Sequence, residues 1–268
     1  MARAPRERGQ PPVLKKYGQH FLSDERILAA IVDALAPTES DTVVEVGAGR
    51  GSLTDILVER SGRVVAVEID RALAKQLGER YRNKPNVQVV QGDVLETDLH
   101  AIGGPDFLLI GNVPYYITTP IVFKALEPPI PRRSVFLVQR EVAERMAAKA
   151  DAEAYGALSV NVAAVANTEL VMTVPAGAFH PPPKVESAVI RLTPRVTPLV
   201  NAESLPAFRA FVQAAFGLRR KQMLRVLRTV KALSPEKASA LLDQAGIDPT
   251  VRPEVLSPEQ FATLFALL

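Results

Sequence analysis

The sequence predicts an α/β fold, with a mainly parallel, Rossmann-like sheet over residues 17–196 and a small helical domain over residues 197–268. Three observations predict it. Short β-branched runs alternate with longer stretches of helical apolar spacing between Thr42 and Val138, the rhythm of strand–helix–strand units. A glycine-rich turn, Gly47-Ala48-Gly49-Arg50-Gly51, directly follows the first run, where such sheets bring a ligand against the backbone. Beyond the proline-bearing stretch from Thr193 to Pro198, only helical patterns remain.

The expected strands are Thr42–Val46, Arg63–Glu68, Val87–Gln91, Phe107–Gly111 and Ser134–Val138. Helical spacing of apolar residues places helices at Ser52–Arg60, Arg71–Tyr81 and Thr119–Leu126, with another near Arg140–Lys149. Two later strands, Leu170–Val174 and Ser187–Leu192, are separated by a loop containing Pro181-Pro182-Pro183, so a tight hairpin between them is excluded. The C-terminal helices are expected at Leu205–Phe216, Arg219–Ala232, Pro235–Ala245 and Pro258–Leu267.

Composition narrows the function classes. The chain has 268 residues, 47% of them hydrophobic and 23% charged, which is ordinary for a globular protein and excludes wholesale disorder. It has no apolar run long enough for a membrane span. With no cysteine and only His20, His100 and His180, far apart in sequence, neither disulfides nor a structural metal site is expected. The cytoplasm is the expected location. The net charge is only +3, but the cations are unevenly spread. Residues 1–16 form an expected basic arm with Arg3, Arg6, Arg8, Lys15 and Lys16 against Glu7 alone. From Ser204 to Pro235 there are seven cations (Arg209, Arg219, Arg220, Lys221, Arg225, Arg228 and Lys231) and no acid. Such asymmetry suits a polyanionic partner, although a solvated basic helix face has the same composition.

The glycine turn does not match a dinucleotide site, because Ser52 stands where a third Gly or Ala belongs and the extra glycine, Gly51, comes early. No Gly-Lys-Ser or Gly-Lys-Thr follows, which excludes a phosphate-binding P-loop. Glu68 ends the second strand, where a carboxylate can accept both hydroxyls of a ribose. Asp93 ends the third, in Gly92-Asp93-Val94, where it can accept from an adenine amine. One glycine turn and two strand-end acids describe a nucleoside site that needs no pyrophosphate. S-adenosylmethionine meets that description.

The fourth strand leads into Asn112-Val113-Pro114-Tyr115-Tyr116. The exocyclic amine of adenine is a poor nucleophile, because its lone pair is delocalised into the ring. An Asn oxygen and a neighbouring backbone carbonyl can accept its two hydrogens and turn the lone pair toward a methyl donor. Pro114 stiffens that geometry, and Tyr115 offers a stacking face. Positioning then supplies much of the rate without a dedicated base. In isolation, the same residues would also make an ordinary strand-ending turn.

With these motifs the sequence resembles the rRNA adenine N6,N6-dimethyltransferases of the KsgA (RsmA) type. The resemblance runs from Lys15 to the C-terminal helices and rests on several segments. They are Lys16–Leu22, Glu45–Gly51, Glu68-Ile69-Asp70, Gly92-Asp93-Val94, Asn112–Tyr116, Gln139–Val142, Tyr155–Val160, Phe179–Ser187, Arg219-Arg220-Lys221 and Gly246–Glu254. It implies a class I methyltransferase sheet, with His20, Leu22, Gly47, Glu68, Asp93, Val94 and Asn112 lining an S-adenosylmethionine pocket. It also implies Asn112, Pro114, Tyr115 and Phe179 at the reaction site, with Phe179 as a second stacking face against Tyr115. Lys16, Arg219, Arg220, Lys221, Arg225 and Arg228 would meet RNA phosphates. His20 stands where many members carry Asn, and Val113 where Leu or Ile is commoner. The implied substrate is a pair of adjacent adenosines in the loop of the helix near the 3′ end of 16S rRNA. The implied partner is the small ribosomal subunit during its biogenesis, met by a monomeric enzyme without metal. A related group that methylates large-subunit rRNA shares the Asn-Pro-Tyr and Phe-Pro-Pro-Lys motifs. DNA adenine methyltransferases and non-catalytic factors on the same fold are the remaining alternatives.

Overall fold

The computed structural model describes residues 19–268, so Lys16 and the expected basic arm lie outside the described residues. A two-residue strand, β1 (Phe21–Leu22), leads into α1 (Glu25–Leu35). Asp24 starts that helix by accepting from the N–H groups of Arg26 and Ile27, which satisfies two of its otherwise unpaired donors. Then strands and helices alternate as β2 (Thr42–Val46), α2 (Ser52–Arg60), β3 (Arg63–Glu68), α3 (Arg71–Arg80) and β4 (Val87–Gln91). The alternation continues through α4 (Leu99–Gly103), β5 (Leu108–Asn112), α5 (Thr118–Ala125), β6 (Arg133–Gln139) and α6 (Arg140–Ala147). After α7 (Ala157–Ala163) come β7 (Ala166–Val174), the short β8 (Phe179–His180) and β9 (Ser187–Pro194). The chain ends in α8 (Leu205–Gly217), α9 (Met223–Val230), α10 (Pro235–Gln244) and α11 (Pro258–Ala266).

Seven strands form one sheet in the order β4-β3-β2-β5-β6-β9-β7. Pairings among β2 to β6 are parallel, whereas β9 runs antiparallel to both β6 and β7. Both faces are covered, and alternate strand residues serve opposite layers. Val43, Leu108, Ile110, Val135 and Leu137 pack with Leu28, Ile31 and Leu35 of α1 and Leu53 and Leu57 of α2. Val44, Val46, Leu109, Phe136 and Val138 face the other way, toward Ile121 and Val122 of α5 and Met146 of α6. The same apolar layer continues without a break into Phe208, Phe211, Leu227, Leu242 and Phe261 of the C-terminal helices. Tyr155 helps join them: its ring meets Phe216 edge-on at 5.9 Å, and its hydroxyl donates to the Leu256 carbonyl at 2.7 Å.

The expected strands all form, with end-points shifted by a few residues. Helices α1, α4 and α7 are additional to the expected set. Helix α9 is shorter than the expected Arg219–Ala232, for a physical reason. The Met223 and Leu224 N–H groups donate to the Val251 and Pro249 carbonyls, and Gln222 is extended. The chain therefore turns at Arg219–Lys221 before the helix begins. Among the described residues, no helix is long and apolar enough to cross a membrane.

Candidate active site

A cleft opens at the carboxyl ends of β2, β3, β4 and β5, where open α/β sheets bind ligands. The turn after β2 forms its floor. Gly47, Gly49 and Gly51 have φ of 71°, 59° and 85°, a region that L side chains enter only with strain. A Cβ on Gly49 would also sit 3.2 Å from the Phe21 ring. The turn is anchored by Gly47 N–H donating to the Val67 carbonyl at 2.9 Å.

Glu68, only 5% exposed, lies beside this turn and accepts from Gly49 N–H at 2.7 Å and Asp70 N–H at 2.9 Å. Burial pushes its carboxyl pKa up, while those N–H groups pull it back. A carboxylate has more acceptor sites than these donors fill, which leaves capacity for a ligand. Asp93 is half-buried, and its Oδ1 accepts from Leu95 N–H at 2.9 Å. Its other oxygen has no partner among the described residues. Val94, the next residue, is buried.

Asn112 ends β5, and its Nδ2 donates to the His20 carbonyl at 3.0 Å. The His20 ring lies over Tyr115, with centroids 5.7 Å apart and planes at 23°, while its Nδ1 pairs with the Pro181 carbonyl at 2.8 Å. Tyr115 is fixed from behind by a 2.6 Å hydrogen bond between its hydroxyl and that of the fully buried Ser187. Pro114 begins a single 3₁₀ turn over Tyr115–Ile117, its carbonyl accepting from Ile117 N–H at 3.2 Å. The preceding carbonyl, that of Val113, has no donor among the described residues.

His20, Leu22, Gly47, Glu68, Asp93, Val94, Asn112, Pro114 and Tyr115 all line this one cleft. Phe179 does not. Its strand pairs with β1, Phe179 opposite Leu22, and its ring is 4% exposed within the layer formed by α1 and α2. The expected second stacking face is thus turned into the core. Arg219, Arg220, Lys221, Arg225 and Arg228 are exposed and remote in sequence from the cleft, on the turn before α9 and on α9 itself. Arg209, which belongs to the same basic run, is different. It lies half-buried on α8 with its guanidinium 4.7 Å over the Phe123 ring, and burial lowers its pKa.

Two further cleft residues, among several given no role above, have distinctive surroundings. Glu45 is 2% exposed, accepts from the Thr54 hydroxyl at 2.5 Å, and is pushed up to about 8 by burial. Its place two residues before Gly47 is the signal that could have found it. Tyr116 also lines the cleft, yet is 59% exposed.

The sheet order and a cleft built for a nucleoside define a class I methyltransferase that uses S-adenosylmethionine. The chain belongs to the ribosomal RNA adenine dimethylase family, whose model matches residues 13–268. It is 43% identical over 258 residues to the ribosomal RNA small subunit methyltransferase A of Alkaliphilus oremlandii, covering 93% of this chain and 90% of that protein. The protein of the same name in Geobacillus thermodenitrificans is 41% identical over 260 residues, covering 93% and 89%. Among solved structures, a dimethyladenosine transferase from Plasmodium falciparum matches with a TM-score of 0.77 at 25% identity, over 91% of this chain and 96% of that one. The 23S rRNA methyltransferase ErmE matches with a TM-score of 0.72 at 31% identity, over 92% and 99%.

Proposed function

We propose that this enzyme dimethylates N6 of two adjacent adenosines in the loop near the 3′ end of 16S rRNA, acting as a monomer on the small ribosomal subunit in the cytoplasm. The observation that carries the chemistry is the Asn112 amide. With Nδ2 committed to the His20 carbonyl, Oδ1 is the end left to accept from a substrate amine. The Val113 carbonyl is the second acceptor, held by the fixed φ of Pro114. Together they draw the amine hydrogens out of the base plane, which localises the nitrogen lone pair and turns it toward the cofactor side. Tyr115, anchored through Ser187, gives the extruded base a rigid plane to lie on. After one transfer an N–H remains for either acceptor, so the same cradle serves the second methylation.

The residues present fit S-adenosylmethionine. The Gly47–Gly51 turn leaves room for a ligand against the backbone, the spare lone pairs of Glu68 suit the ribose hydroxyls, and the second oxygen of Asp93 suits the adenine amine. His20, Leu22 and Val94 complete the walls. When bound, the cofactor supplies a methyl group already activated on a sulfonium, so no residue need act as a strong base.

Identity of 41–43% to proteins named for the small subunit supports that substrate. Residues 197–268 are assigned to rRNA binding through Arg219, Arg220, Lys221, Arg225 and Arg228, joined by Lys16 from the N-terminal segment. The similarity to ErmE favours a large-subunit target as the second reading. Mass spectrometry of rRNA separates the two after separate incubation of immature small subunits and of large subunits with enzyme and S-adenosylmethionine. Dimethyladenosine near the 3′ end of 16S rRNA is expected, and product confined to 23S rRNA would reject the small-subunit reading.

A further inference from the structure

Tyr116 is the one aromatic residue among the large apolar side chains that stand exposed in the described part of the chain. A lone exposed aromatic is common and needs no special reason. Its surroundings make this one different. It lines the cleft beside Tyr115, and its backbone belongs to the 3₁₀ turn pinned by the Ile117 N–H and the Thr118 hydroxyl, both donating to the Pro114 carbonyl at 3.2 and 3.3 Å. The residues on either side of it, Tyr115 and Ile117, are partly buried. Its ring is therefore presented outward by a rigid backbone, and its hydroxyl has no partner among the described residues. Core packing explains neither the ring nor its placement.

We propose that Tyr116 is a positioning residue whose ring stacks on the nucleobase next to the adenine held at Asn112. This inference rests on the RNA substrate reading above. Extruding one base from a single-stranded loop removes the stacking partner of its neighbour. A fixed aromatic at the cleft rim replaces that partner and lowers the cost of extrusion. Because every base has a π-face, the ring tolerates sequence but favours a purine, whose stacking area is larger. Tyr115 and Tyr116 then divide the work, one holding the reacting base and the other its neighbour.

The test uses full-length enzyme and immature small subunits assembled with rRNA carrying either a purine or a pyrimidine beside the target adenosine. Tyr116→Ala is expected to raise KM for purine-bearing subunits roughly tenfold, in the range expected when one base–aromatic stack is removed. Calorimetric affinity for S-adenosylmethionine should be unchanged. Tyr116→Phe should restore KM, since the hydroxyl has no partner. The pyrimidine change should cost the wild type more than it costs Tyr116→Ala. Equal KM values for wild type and Tyr116→Ala overturn the proposal, as does a pyrimidine penalty that is the same in both enzymes. Failure of the wild type to methylate small-subunit rRNA at all is a separate result and overturns the substrate reading itself.

Discussion

The Asn112 side-chain amide donates to the main-chain carbonyl of His20 at 3.0 Å, joining two segments 92 residues apart. A carbonyl can only accept, so this hydrogen bond decides which end of the amide points into the cleft. That carbonyl immediately precedes β1, which is in turn paired with β8. The orientation of the Asn112 amide therefore depends on backbone contributed by three distant parts of the chain.

Asn112→Asp tests that dependence with almost no change in shape. A carboxylate cannot donate to the His20 carbonyl and places charge against it. Turnover on small subunits is expected to fall about a hundredfold or more, as when a positioned polar group is removed from an active site. Circular dichroism and subunit binding should stay near wild type, because the RNA surface is far larger than the pocket. A folded Asn112→Asp enzyme that turns over normally would show that the amide does not orient the amine.

Glu45 provides a pH signature. Burial raises its pKa in the folded protein from 4.5 to about 8. Between those values the unfolded chain has released the proton while the folded chain still binds it. Stability should accordingly fall as pH rises across this window, at about 1.4 kcal/mol per pH unit, and level off above it. Below the window both states are protonated and the effect vanishes. Denaturant titrations at several pH values should show this slope in the wild type and not in Glu45→Gln, which keeps an acceptor for Thr54. Parallel curves for the two proteins between pH 5 and 8 would contradict a protonated Glu45.

Phe179 separates a structural role from a chemical one. Its ring is buried under the β1–β8 pair, so Phe179→Ala should cost roughly 3–5 kcal/mol of stability. Phe179→Leu keeps most of the apolar volume and is expected to cost less than about 1.5 kcal/mol. Thermal unfolding measures both, and methyl transfer by the Leu variant should stay within a few-fold of wild type. A stable Phe179→Leu protein without turnover would instead place the ring against the substrate.

These outcomes reflect what a sequence can and cannot carry. Strands β2 to β6 are legible because short runs rich in Val, Ile and Leu, alternating with stretches of helical spacing, have few alternatives. That the glycine turn, Glu68 and Asp93 share one cleft is legible because they occupy strand ends, which are local features. The burial of Phe179 is not, because it comes from pairing with Leu22, more than 150 residues away, and no local pattern encodes that pairing. Arg209 reads as part of the basic run because composition does not reveal that Phe123 lies beneath it. The start of α9 is hidden for a similar reason, since its first N–H groups are satisfied by Pro249 and Val251 rather than by the preceding turn.

That shortened helix changes how the basic surface is tested. Lys221 lies before α9 and Lys231 caps its end, 5.7 Å from the Phe211 ring, so the basic run reduces to Arg225 and Arg228 on the helix itself. Both are exposed, and their spacing of three places them on the same side. Val226 and Leu227 between them are fully buried, which fixes the helix's rotation and keeps the two guanidinium groups outward. Such groups hold phosphates and so position a protein without reading bases. Arg225→Glu with Arg228→Glu should therefore weaken small-subunit binding. It should also reduce the slope of log affinity against log salt by roughly 0.7–0.9 for each phosphate that is no longer neutralised. Affinity for free S-adenosylmethionine should not change, because neither residue lines the cleft. Binding of the double variant is best measured at several salt concentrations. Curves that superimpose on wild type would assign the two arginines to helix solubility alone and move the RNA-binding role to the Arg219–Lys221 turn.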